Sequence, residues 1–227
     1  MGILKEFFNN VFRDGAAPAV TQNLRQLDRR QLESHLAVSR YGKFELTDAI
    51  RPSFDLKVVP QEAFRREVYY DNMNNVSIPV LLGSVSKEKL FDTFMELLDS
   101  LGNIVDVVLE SSHDRRKNGH IDFLRENIDL PVLKSVLYDY EDLLLNDGCT
   151  GIAVLNSSIP HEVQFDEHKL LIVYGEELNE SETIFHNYNV YRNESVRFIT
   201  EAEHVHSSRE SYRARFNELK LHLGMDY

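Results

Sequence analysis

Glu201-x-Glu203-His204-x-His206 is the run whose residue types and spacing come nearest to metal chemistry. On a strand, alternate side chains share a face, so His204 and His206 project together about 7 Å apart and could hold one cation, with Glu201 as an acidic neighbour. A metal site also needs a third ligand, which that face does not supply at this spacing. The competing reading is a solvated strand face.

A second constellation is Glu110-Ser111-Ser112-His113-Asp114, followed by His120. Glu110, His113, Asp114 and His120 are the candidate catalytic residues, because they gather carboxylates and imidazoles, with two hydroxyls, where a strand ends and a loop begins. Sheets covered by helices commonly carry their sites there. Against this, a nucleophile must reach its base in space, and neighbours along an extended chain point apart. The run Arg115-Arg116-Lys117-Asn118-Gly119 reads more simply as a solvated loop.

The remaining chemistry is thinner. Gly83-Ser84-Val85-Ser86-Lys87 lacks the second glycine and the Lys-Ser/Thr pair of a phosphate-binding loop, so it reads as a strand-to-helix turn whose free amides attract an anion only generically. Cys149, the single cysteine, lies near Gly148 and Gly151 as a small residue in a tight connection, with no adjacent histidine to activate it. His161, His168 and His186 stand alone and read as surface or packing residues. No cofactor motif is present, and none is expected.

These residues must be positioned by elements that the hydrophobic pattern marks out. Ile78 to Gly83 reads as a buried strand. Leu90, Phe91, Phe94, Leu97, Leu98 and Leu101 then form one helical stripe ended by Gly102, and Ile104 to Glu110 alternates as a second strand. Asp129 and Pro131 open a helix carrying Leu133, Val136, Leu137, Tyr140 and Leu144, which Gly148 stops. Thr150 to Leu155, Glu162 to Phe165 and Lys169 to Tyr174 read as successive strands, with Asp166-Glu167-His168 undecided between turn and strand. Asn179-x-x-Glu182 can cap a short helix, Val196 to Val205 is strand-like, and the capping box Ser207-x-x-Glu210 opens a last helix carrying Tyr212, Phe216, Leu219 and Leu223. Upstream, Leu24, Leu27, Leu32 and Leu36 recur at helical spacing from Thr21 to Val38, with Thr21 as cap. Lys43 to Leu46, Phe54 to Val59 and Glu67 to Tyr70 lean toward edge strands broken by Pro52 and Pro60.

At the start of the chain, Ile3, Leu4, Phe7, Phe8, Val11 and Phe12 share one side of a helix, with Lys5, Glu6, Asn9 and Asn10 opposite. Arg13 to Pro18 then makes a tether. Such a hook must dock, on its own body first, or on a second copy, another protein or a lipid surface; a membrane is disfavoured because only Lys5 lies on the polar face.

Charge narrows the partners. The net charge is −12, and it falls after residue 75, where 14 Lys/Arg face 27 Asp/Glu. A surface of that sign repels phosphate backbones, so no nucleic acid is expected. One cysteine permits no internal disulfide, no window spans a membrane and the first residues lack a signal-like apolar run, so a cytoplasmic location is expected.

Successive strands joined by short turns favour an α+β fold, with a mixed, largely antiparallel sheet packed by several helices and an N-terminal helical arm. The expected organisation is an amphipathic helix and tether over 1–20, a helical and irregular segment over 21–75, and an α+β domain over 76–227. Function is expected to be a non-enzymatic protein-interaction or regulatory module working through the hook, with possible self-association. The alternative is a metal-assisted hydrolase, or other small-molecule enzyme, with a His/Glu-lined site.

Overall fold

A computed structural model describes residues 27–71, 76–113 and 121–225. The hook residues Ile3, Leu4, Phe7, Phe8, Val11 and Phe12 lie outside these, as do Thr21, Asp114 and His120. Along the chain the elements are α1 (Arg29–Leu36), β1 (Arg40–Tyr41), β2 (Phe44–Glu45), β3 (Ile50–Pro52), β4 (Ala63–Asp71), β5 (Val76–Ser84) and α2 (Lys87–Leu97). Then follow β6 (Ile104–Ser111), β7 (Ile121–Asp129), α3 (Leu130–Asp139), α4 (Glu141–Asn146), β8 (Thr150–Asn156), β9 (His161–Phe165), β10 (Leu170–Gly175), α5 (Asn179–Asn187), β11 (His204–His206) and α6 (Glu210–His222).

The fold is α+β. Seven strands form a sheet in the order β4-β5-β10-β9-β8-β6-β7, with every neighbouring pair antiparallel. The strand-helix-strand unit over β5, α2 and β6 is present, but β10, β9 and β8 lie between its two strands. A separate short ladder pairs β3 with β11, setting His204 opposite Pro52 and His206 opposite Ile50.

The main core lies on one face of the sheet. From α2 and the 3-10 turn that continues it, Leu90, Phe91, Phe94, Leu97, Leu98 and Leu101 are all buried there, each worth roughly 1.5–3 kcal/mol of burial. Val105, Val107 and Leu109 of β6, Ile152 and Val154 of β8, and Val163 and Phe165 of β9 meet them from the sheet. Tyr212, Phe216 and Leu219 of α6 join the same cluster.

On the opposite face, cross-strand registers line up Glu110 with Gly151, and Ala153 with Gln164 and Ile172. Glu110, Glu162, Gln164 and Tyr174 are buried there, so this face carries polar groups where the helical face carries hydrocarbon.

Several local expectations need correction. β7 stands where the hydrophobic pattern marked no element: it is a charged edge strand with little burial, so no apolar alternation announced it. The helix over 129–148 is two helices, broken at Tyr140, whose φ of −118° is not helical. Phe54 to Val59 is turn rather than strand. Val196 to Val205 is extended only at its end, because the Glu201 carboxylate accepts the Phe198 amide at 3.0 Å and closes a 3-10 turn over Ile199–Glu201. Ser207 is not the cap of α6, which begins after Arg209, and Asn179 is the first residue of α5 rather than its cap. In α1 the capping box belongs to Asp28 and Gln31, whose side chains and amides bond reciprocally at 2.8 and 3.0 Å.

Candidate metal centre

Four segments meet at one end of the sheet: the exit of β6, the link from α4 into β8, the hairpin loop between β9 and β10, and β11. Ladder registers bring the first two together, Ser111 lying opposite Thr150. The Ser112 amide donates to the Cys149 carbonyl at 3.0 Å, and the Ser112 hydroxyl to Glu167 Oε2 at 2.8 Å, which draws in the hairpin loop. β11 is stitched on by Gly148, whose amide donates to the Ser207 carbonyl at 2.8 Å. A β-carbon on Gly148 would lie 2.4 Å from the Ala49 carbonyl oxygen and 2.8 Å from that of Ser207, so only glycine permits this approach.

His168, His204 and His206 converge in this junction. Their ring centroids are 4.7–5.1 Å apart, and one ring nitrogen from each lies within 4.8 Å of the others. Every Nδ1 is already engaged: His168 with Asp166 Oδ2 at 2.8 Å, His204 with the Ala202 carbonyl at 2.8 Å, His206 with the Gly148 carbonyl at 2.7 Å. Carbonyl and carboxylate oxygens only accept, so each Nδ1 carries the proton and each neutral ring is left with its lone pair on Nε2. The His204 Nε2 is buried without a hydrogen-bond partner. Oriented imidazoles held through their second nitrogen by backbone or carboxylate oxygen are how proteins aim histidine at metal.

Electrostatics keep two of the rings neutral. Burial pushes His206 down to about 4 against the pull of the Glu167 charge, and burial likewise lowers His204. For His168 burial acts downward too, but the charge and hydrogen bond of Asp166, helped by Glu167, outweigh it and raise the group. The loop that presents His168 ends on Lys169, a non-glycine residue at φ +61°, in the left-handed region. Its ammonium donates to the Thr150 carbonyl at 2.9 Å and lies 5.3 Å from the Phe165 ring centroid, while burial pulls it down to about 8.

The residues singled out by sequence are distributed unevenly. His204 and His206 are together, as strand alternation requires. Glu201 is not with them: its carboxylate binds Arg65 at 2.8 Å and the Phe198 amide, in the 3-10 turn before β11. His168, read as a surface or packing residue, is the third member of the cluster. Glu110 and His113 sit at the exit of β6 beside this junction, His113 with Ser111, Asp147 and Cys149. The Ser111 hydroxyl and His113 Nδ1 are 2.9 Å apart, because residues two apart on an extended chain share a side. The start of α2, read as a strand-to-helix turn with only a generic pull on anions, is served by the chain itself: the Ser86 amide donates to Glu62 Oε2 at 3.0 Å, and Lys89 donates to Glu62 Oε1 at 2.7 Å. Among the described residues no helix is long and apolar enough to cross a membrane. Comparison of the chain with protein-family models, curated proteins and solved structures found no match.

Proposed function

We propose that this protein is a metal-dependent hydrolase whose divalent cation, zinc by ligand type, is held by Nε2 of His168, His204 and His206. The observation that carries the reading is the convergence of three imidazoles whose Nδ1 protons are all spent on fixed oxygens. Three lone pairs facing one another repel, and a cation at their focus removes the repulsion. This reading departs from the expectation of no cofactor.

The ligand count bears on the chemistry. Structural zinc sites are closed by four protein ligands, whereas three histidines leave a position for water, and zinc lowers the pKa of that water to about 7. Among the described residues no carboxylate or thiol joins the three rings within the same distance. Glu167, whose charge acts on both His168 and His206, is the carboxylate that would take up a proton from a water held there.

Elemental analysis of the full chain is the first test. Bound zinc is expected in the wild type, and His168→Ala with His204→Ala is expected to lose the ion assigned to this centre; metal-free wild type after zinc loading would end the proposal. Glu167→Gln is expected to keep that ion while hydrolysis of an activated ester such as 4-nitrophenyl acetate falls by roughly a hundredfold. Equal turnover in the two proteins would remove Glu167 from the mechanism.

The interaction module expected from the hook rests on residues outside those described. Its own test is mass: if Ile3 to Phe12 join copies of the chain, deleting residues 1–14 lowers the molar mass seen by light scattering, and an unchanged mass removes self-association through the hook.

A further inference from the structure

We infer that β4 is a self-association edge, on which the β4 of a second copy of this chain adds as an antiparallel strand about a two-fold axis at Val68. The contact is independent of the three-histidine centre and of the residues before α1.

β4 ends the seven-stranded sheet, so it carries β5 on one side and an outer rim on the other. Phe64 identifies the groups on that rim: its amide donates to the Tyr191 carbonyl at 3.2 Å and its carbonyl accepts the Asn193 amide at 2.8 Å, away from β5. In an antiparallel strand the amide and carbonyl of one residue point the same way, and the direction alternates along the chain. Arg66 and Val68 therefore aim theirs outward as well. Pro79, opposite Val68 on β5, has no amide hydrogen to give, which suits a pair that exchanges no bond. Tyr191 to Asn193 occupy the rim only at Phe64, and no described strand pairs with it at Arg66 or Val68.

The two ends of the sheet differ. β7 has a register shift in its ladder with β6, between Val105 and Val107, and carries Asn127 at φ +57°, so its rim is irregular as well as charged. β4 keeps an unbroken register with β5 from Ala63 to Asp71 and contains no proline. At its rim Val68 is 64% exposed and Tyr70 50%, one β-branched and one aromatic side chain. A long, regular edge with exposed apolar side chains is a template for another strand.

Self-complementarity selects the occupant. A two-fold axis at Val68 pairs that residue with its counterpart, and sets Arg66 opposite the Tyr70 ring of the second copy, a cation–π contact made twice. Arg66 reaches Glu182 only at 3.5 Å and stays partly exposed, so its guanidinium is within reach of that ring. Sliding the strands by two residues in one direction places Glu67 against itself, and like charges directly opposite destabilise a pair. Sliding the other way carries Arg66 past Asp71, where β4 ends. In the favoured register the incoming strand ends opposite Arg65, just short of the stretch from Tyr191 to Asn193. Within β4 the two arginines, Arg65 and Arg66, balance the two acids, Glu67 and Asp71, so in a chain of net charge −12 two copies meet here without opposing net charge.

One strand pair is a small interface, so a concentration-dependent equilibrium is expected rather than a permanent dimer. Analytical ultracentrifugation of the full chain from roughly 1 to 300 µM should show the mass climb from one chain toward two. Val68→Lys should keep the wild-type circular dichroism and remain a single chain throughout. Val68→Cys supplies a reading of position: α-carbons of a hydrogen-bonded pair lie about 5.5 Å apart, within disulfide reach, so mild oxidation should link two copies. Val132→Cys, exposed on α3, is the collision control, and the wild type accounts for the buried Cys149. A wild type that stays a single chain at every concentration overturns the inference. So does a dimer that persists in Val68→Lys, or a Val68→Cys protein that links no faster than the control. A dimer kept in Val68→Lys but lost on deleting residues 1–14 assigns the association to the hook and overturns the β4 edge.

Discussion

Gly148→Ala is expected to lower the melting temperature by about 6–12 °C and to disorder the three-histidine cluster. The added β-carbon would stand 2.4 Å from the Ala49 carbonyl oxygen and within 3 Å of the Ser207 backbone oxygen and nitrogen, distances that side-chain rotation cannot relieve. Relief requires β11 to move off the link into β8, which breaks the hydrogen bonds from the Gly148 amide to the Ser207 carbonyl and from the Ser207 amide to the Ala49 carbonyl, each 2.8 Å. Overpacking against main chain costs roughly 3 kcal/mol or more, and a chain of this size loses about 2–4 °C per kcal/mol. The displacement also carries away the carbonyl that fixes His206, so metal retention should fall with stability. Gly151→Ala is the internal comparison. There the new carbon meets Glu110 Oε2 at 2.8 Å, the end of a side chain that can rotate, and a loss of about 1 kcal/mol is expected. Calorimetry on the two variants decides the matter: similar melting points would mean that the contact at Gly148 is not what holds the junction.

What the amino-acid pattern revealed, and what it hid, follows from the range of the forces involved. The stripe from Leu90 to Leu101 is local, since one helical period places all six side chains on a face, and that face is buried as a unit. β7 lacks such a stripe because an edge strand buries little, and its charged residues carry no periodicity to read. The same division runs through the site. His204 and His206 share a face by strand alternation, which two residues suffice to reveal. His168 joins them only through the hairpin of β9 with β10 and the ladder of β11 with β3, neither of which is written in the spacing of histidines. Cys149 was hidden for a similar reason: its histidine neighbour comes from the exit of β6, many residues away, and becomes a neighbour only when Ser111 pairs with Thr150. The hairpin loop did carry one local sign, an Asp and a His two residues apart between two strands, the geometry in which Asp166 fixes the His168 ring.

Glu110→Gln is expected to flatten the dependence of stability on pH. Glu110 is buried at the end of β6, with Asp122 directly opposite on β7 and the charges of Asp166 and Glu167 on its other side. Burial first, then these three carboxylates, push it from 4.5 up to about 8. Its folded pKa is therefore raised, so the folded state holds a proton that the unfolded chain has released between those two values. The sign follows directly: the group's contribution is fully present below pH 4.5 and is lost as pH rises through about 8. A shift of that size corresponds to about 5 kcal/mol at most, which is a large share of the stability of an ordinary domain. In Glu110→Gln the side chain keeps its shape and has nothing to ionise. Wild type and variant should then melt at similar temperatures near pH 4.5, while at pH 8.5 the variant should melt higher by about 10 °C or more. Glu162, fully buried on the same face with one carboxylate oxygen unpartnered, is raised in the same direction by burial and by the Glu110 charge. Glu162→Gln added to Glu110→Gln should accordingly widen the gap at high pH and leave the low-pH values together. Calorimetric scans from pH 4 to 9 test this directly, and parallel wild-type and variant curves would show that Glu110 is already ionised in the folded protein, matched by positive charge at the exit of β6.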